Sequence, residues 1–132
     1  MAIFNGFNEF KIGLRTAVLA NPTVTGLIGT RFFSAQLATF FTDGTNFPLA
    51  TFHPLEGPDR IFWRRFNIRV QAWSDKSYDE CHDIFDAIRD VLFCTNVKPK
   101  SVIHAFGGVL EDYEKASRLY SVSGSFSVTQ IL

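Results

Sequence analysis

Cysteine is scarce in this chain, net charge is absent and no long apolar run occurs, and each shortage closes off a class of protein. The 132 residues include two cysteines, Cys81 and Cys94, too few and too close in sequence for a disulfide framework. Both fall in or at the end of one predicted helix, and Cys81 reads as core packing, a common place for a free thiol. Thirteen basic and thirteen acidic residues cancel, which argues against a nucleic-acid binder relying on overall attraction and leaves only local patches. Nothing approaches the ~18 consecutive apolar residues needed to span a bilayer. Met1 to Leu14 also lack the basic start and continuous apolar middle of a secretory signal. A soluble protein made in a cytoplasm, without a membrane partner, is expected.

Catalytic signatures are missing too. His53, His82 and His104 are scattered, and the sequence holds no C-x-x-C, H-E-x-x-H, glycine-rich phosphate loop or G-x-S-x-G. Cys81 and His82 are adjacent, but on a helix neighbours point about 100° apart rather than into one site. Paired aspartates on one helix face are a poor cation site, because such sites converge from several elements. No enzyme, cofactor or metal is expected. Internal repeats and low-complexity tracts are absent as well.

The most informative stretch that is present runs from Arg65 to Leu92. Phe66, Ile68, Val70 and Ala72 alternate with Arg65, Asn67, Arg69 and Gln71, the period of two of a strand with one buried face. Ser77-x-x-Glu80 follows as a capping box, with the Ser77 hydroxyl accepting from the amide three residues on and Glu80 reaching back to the Ser77 amide. Cys81, Ile84, Phe85, Ile88, Val91 and Leu92 then form one helix face, and Asp79, Asp83, Asp86 and Asp90 the opposite one. A sheet, a helix on it and an acidic outer stripe are thereby specified.

Elsewhere, Phe7, Phe10, Leu14, Ala17 and Val18 predict an amphipathic helix ending near Ala20. Asn21-Pro22 restarts the chain as a short helix through Leu27 or Ile28, closed by Gly29. A short strand is expected over 31–35, then a projecting loop or hairpin over about 36–47 around the Asp43-Gly44 turn signal. Strands follow over 48–53 and 60–73, the second with a bulge near Arg64-Arg65 where the alternation slips. The next strand, 101–110, holds Gly107-Gly108, a bulge or bend signal, with 111–117 as a connection. In the last strand Tyr120, Val122, Phe126 and Val128 alternate with a serine row, and Gly124 interrupts the apolar side. The fold class is α+β: a single domain over 1–132, a mostly antiparallel sheet with helices packed on one face.

That arrangement leaves one sheet face carrying Arg65, Asn67, Arg69, Gln71, Trp73 and the serines, either solvated or packed against a partner or channel. Like charges along the aspartate stripe repel weakly, and Asp90 also opposes the helix dipole. Solvent can screen them, as can basic residues of a neighbouring copy, for which Arg60, Arg64 and Arg65 are candidates, or the stripe can form a negative channel wall past which DNA slides. The run Arg60, Phe62, Trp63, Arg64, Arg65, Phe66 interleaves bases with aromatics as single-strand binders do, so a small nucleic-acid-binding module is a distant alternative. Fifteen phenylalanines exceed what a core of this size needs, which points to contacts with other chains. Phe40, Phe41 and Phe47, around Asp43, either fold back on the core or dock on a partner.

Three segments in order carry a family resemblance: Leu14 to Val24 with Gly29-Thr30-Arg31, then Arg69-Val70-Gln71-Ala72-Trp73-Ser74-Asp75, then Leu119 to Phe126. In these the chain resembles the tail completion, or tail terminator, proteins of long-tailed bacteriophages. They pair a helix ending in a small-Asp/Asn-Pro turn with a strand ending in V-x-x-W-(S/A)-D, a capped helix and a closing strand. The aromatic Phe40-Phe41 loop and Gly107-Gly108 depart from that pattern. The resemblance implies a non-catalytic virion protein at the head–tail junction, forming a hexameric ring that caps the tail tube and ends its polymerisation. Its partners would be further copies of itself, the major tail tube protein and the head–tail connector or stopper protein, with DNA passing through the channel without sequence-specific binding. A head-side connector ring is the runner-up. On the ring reading Arg60, Arg64 and Arg65 meet Asp79, Asp83, Asp86 and Asp90 across copies, and Phe40, Phe41, Asp43 and Phe47 contact tube or connector.

Overall fold

A computed structural model describes residues 6–34, 47–55, 63–94, 101–116 and 118–131, with backbone alone at 6–10, 54–55, 63–66, 94, 101–107 and 130–131. The elements are α1 (Gly6–Leu19), α2 (Pro22–Ile28), β1 (Phe32–Ser34), β2 (Leu49–Leu55), β3 (Trp63–Ser74), α3 (Tyr78–Cys94), β4 (Ser101–Glu114) and β5 (Leu119–Ile131). The strands form one sheet in the order β1-β2-β3-β5-β4, antiparallel apart from the short parallel pairing of β1 with β2. The α+β architecture read from the sequence is therefore the one observed.

Two turns are fixed by single residues. The Asn21 carboxamide oxygen accepts from the amides of Thr23 at 2.9 Å and Val24 at 3.4 Å, with Pro22 in the first helical turn. Gly29 closes α2 at φ 62°, a conformation that glycine tolerates and most residues do not.

The helices cover one face of the sheet. Leu14 and Val18 of α1, Val24 and Ile28 of α2 and the α3 row pack on Phe32, Phe52, Ile68, Val70, Val122, Phe126 and Val128. All six apolar positions expected on α3 are at most 5% exposed, each burial contributing about 1.5–3 kcal/mol for the larger side chains. Phe32 and Phe52 stack at 4.9 Å between ring centres. Phe85 lies directly over Gly124, where a side chain's first carbon would come within 2.6 Å of its ring. The glycine that breaks the apolar row of β5 is thus the seat of an α3 aromatic.

Two sequence-based expectations differ from the structure. β3 pairs with β5 without interruption from Trp63↔Ile131 to Ser74↔Tyr120, so no bulge occurs at Arg64-Arg65. Pairing between two long central strands sets the register there, and the slip in side-chain alternation does not disturb it. The register shift in β4 lies between Phe106 and Leu110, around the glycine pair where a bulge or bend was expected. Glu111 to Glu114, expected in a connection, continue β4, because β5 supplies backbone partners that outweigh the low strand preference of acidic residues. The loop over 35–46 lies outside the described residues.

Candidate assembly surfaces

The junction between β3 and α3 positions the acidic stripe. Ser77 Oγ accepts from the Glu80 amide at 3.2 Å, the expected half of the capping box. The other half is replaced: Glu80 Oε1 accepts from Ser74 Oγ at 2.6 Å, and Ser74 Oγ accepts from the amides of Lys76 at 3.0 Å and Ser77 at 3.4 Å. Ser74, wholly buried, stands where Glu80 would have reached. With the helix start so fixed, Asp79, Asp83, Asp86 and Asp90 are all exposed. Arg89 Nη2 lies 3.5 Å from Asp86 Oδ1, an exposed pair that adds at most a few tenths of a kcal/mol. Of the basic residues proposed opposite the stripe, Arg60 lies outside the described residues, and Arg64 and Arg65 are placed by backbone in β3, opposite Gln130 and Thr129.

The sheet face away from the helices is not a uniformly solvated serine surface. Thr51, Ser121 and Ser123 are at most 5% exposed. Leu49, Trp73 and Leu119 form a second small core, against which Phe33 and Phe47 pack. β2, β3 and β5 each contribute one large apolar residue to that core, so no single strand's alternation announces it; the register Leu49↔Trp73 brings two of them side by side. Half-buried Phe47 thus packs on its own sheet, while Phe40, Phe41 and Asp43 lie outside the described residues.

Beside that cluster the face is polar. Gln71 Nε2 donates to Ser121 Oγ at 3.3 Å. Thr51 Oγ1, His53 Nδ1 and Arg69 Nε are buried and find no hydrogen-bond partner among the described residues. His53 sits directly opposite Arg69 in the register, and burial first, then the Arg69 charge, lowers its pKa below the ordinary histidine value.

The two sheet edges contrast. At the β1 edge, Arg15 of α1 donates from Nε to the Phe32 carbonyl at 3.1 Å and from Nη2 to the Thr30 carbonyl at 3.3 Å. Arg31 donates to the Pro48 carbonyl at 2.8 Å. Both arginines lie in segments that carry the family resemblance, and their tying role was not legible from spacing. At the β4 edge Glu111, Asp112 and Glu114 are exposed, and Glu111 meets His82 Nε2 of α3 at 2.8 Å. A small cleft of about 70 Å³ behind this edge is lined by Phe85, Arg89, Gly108, Val109, Gly124, Ser125 and Phe126.

Cys81 faces the core, its thiol donating to the Tyr120 carbonyl at 3.3 Å. Burial, reinforced by the nearby Glu80, pushes its pKa up to about 12, so the sulfur stays protonated at neutral pH and is a poor nucleophile. His82 points away, toward Glu111. Among the described residues no cluster of three or more potential metal ligands occurs, and no helix is long and apolar enough to cross a membrane. What the described residues offer is surfaces of opposite character on a small sheet.

These features define a small α+β domain with one helix-covered sheet face and contrasting edges. In fold the chain is similar to a chain of the virion of a native gene transfer agent particle, with a TM-score of 0.74 at 9% identity, covering 96% of this chain and 98% of that one. At this identity the likeness is one of fold. The sequence matches no protein-family model and no curated protein.

Proposed function

We propose that this chain is a structural virion protein that closes into a hexameric ring on the end of a tail tube, stops tube growth and joins the tube to the head connector. DNA would pass through the central channel without sequence-specific contacts. The observation that carries the reading is the end-to-end fold likeness to a virion chain, joined to the ordered tail-terminator-like segments from Leu14 to Phe126. The exposed aspartates of α3 and the opposed charges of the two sheet edges supply surfaces for neighbouring copies. On this reading the protein has no catalytic role, no cofactor and no metal. A head-side connector ring is the second reading, since the fold likeness is to a virion chain without distinguishing its two ends.

Electron microscopy of the purified protein and of finished particles tests the reading: rings with an open centre are expected, and single unassociated globules in both contradict it. Particles made without the protein separate the two readings. Tubes of uncontrolled length support the tail position; tails of normal length on DNA-leaking heads support the head-side one.

A further inference from the structure

We infer that the outer edge of β4 is the joint on which a second copy of this chain docks, through the α1 side of its own sheet. The inference deepens the ring reading and rests on it. Among the described residues no strand pairs with the outer edge of β4, although the strand runs for 14 residues. Long exposed edges are templates for association. This one also presents Val109, Leu110 and Tyr113 at 49%, 60% and 39% exposure, a density of exposed apolar side chains that marks a contact surface.

Charge selects the occupant. Glu111, Asp112 and Glu114 make this stretch acidic, with Lys115 and Arg118 confined to the turn beyond it. Two β4 strands paired about a two-fold axis within this exposed 109–114 stretch would set these carboxylates against one another, which is unfavourable for directly opposed like charges. At the opposite edge of the same sheet, α1 presents Ile12 at 68% exposure, with Arg15 one turn on and Arg31 nearby. An apolar and basic patch therefore sits across the molecule from an apolar and acidic one. A joint between opposite edges is head-to-tail, the interface type that closes into rings or continues into filaments.

Two variants of the full chain test the joint by light scattering and analytical ultracentrifugation, with circular dichroism confirming that each folds. The strand variant, Asp112→Arg with Glu114→Arg, keeps the α1 side; the helix variant, Ile12→Asp, keeps the β4 edge. Wild type is expected to form species larger than a dimer, each variant alone to be monomeric, and an equimolar mixture to form dimers and nothing larger, because one intact joint remains per pair. A mixture that stays monomeric, or a strand variant that assembles like wild type, overturns the inference; rings of that variant in micrographs would leave the ring reading standing. Wild type monomeric at ~1 mM, a concentration that populates even contacts of millimolar affinity, overturns the inference too, and absence of rings from finished particles would then remove the ring reading as well.

Discussion

Substituting Gly124 by alanine probes the contact that seats α3 on the sheet. The added carbon would lie 2.6 Å from Phe85 Cζ and 3.1 Å from Cε2, the first closer than carbon atoms approach without displacement and the second a tight contact. The ring has little freedom to yield: Phe85 is 2% exposed and stacks near Phe126 at 6.0 Å. Overpacking of this kind costs about 1–3 kcal/mol. Two effects pull toward the low end, namely the adjoining cleft of about 70 Å³ and the ~0.5–1 kcal/mol gained by replacing a strand glycine with alanine. A net loss of about 1–2 kcal/mol is expected, or roughly 3–10 °C in Tm for a domain of this size. Thermal and urea unfolding followed by circular dichroism give the number, and adding Phe85→Leu tests its cause. In the Gly124→Ala background the second change should cost at least ~1 kcal/mol less than it does in wild type, because the two sites are coupled by one contact. A Gly124→Ala protein as stable as wild type, or strictly additive effects, would refute the packing argument.

Asn21→Ala removes the acceptor for two amides of α2 and should lower stability by ~1 kcal/mol, read by urea unfolding; no change would mean that the cap is redundant. Ser74→Ala strands two amides and the Glu80 carboxylate and should cost about 1–3 kcal/mol, with loss of hydrogen-exchange protection at the start of α3. Because the Cys81 thiol is held at a pKa of about 12 and is buried, it should resist a thiol reagent in native protein at pH 8 and react on unfolding; prompt native reaction at Cys81 contradicts its placement. His53 has a folded pKa below its unfolded value of 6.5. The unfolded chain therefore binds the proton first, so stability is full above that value and declines as pH falls through it toward the folded pKa. Unfolding measured from pH 8 to 5 should show a smaller decline in His53→Gln than in wild type, and equal declines would refute the assignment.

Where one side chain or one uninterrupted pattern decided the structure, the sequence was enough. The Asn21-Pro22 cap, the α3 apolar row and the alternation of β5 belong to this group, and so does the Gly107-Gly108 irregularity in β4. Features assembled from different strands were hidden, because they depend on register. Leu49, Trp73 and Leu119 become a core only once β2, β3 and β5 are aligned. The same holds for the acidic end of β4, which β5 draws into the sheet. Glu80 was read with the wrong partner, since the Ser74 hydroxyl both donates to its carboxylate and accepts from the Ser77 amide. Of the site residues, the aspartate stripe is exposed as its spacing implied and Phe47 packs on the second small core.

The most direct test of the account is the arrangement of this chain in finished particles, imaged by electron cryomicroscopy at the junction of head and tail. A closed ring of copies at the head-proximal end of the tail tube, each placing its β4 edge against the α1 side of the next, is the expected result. A single unassociated copy, or copies located away from that junction, would contradict it.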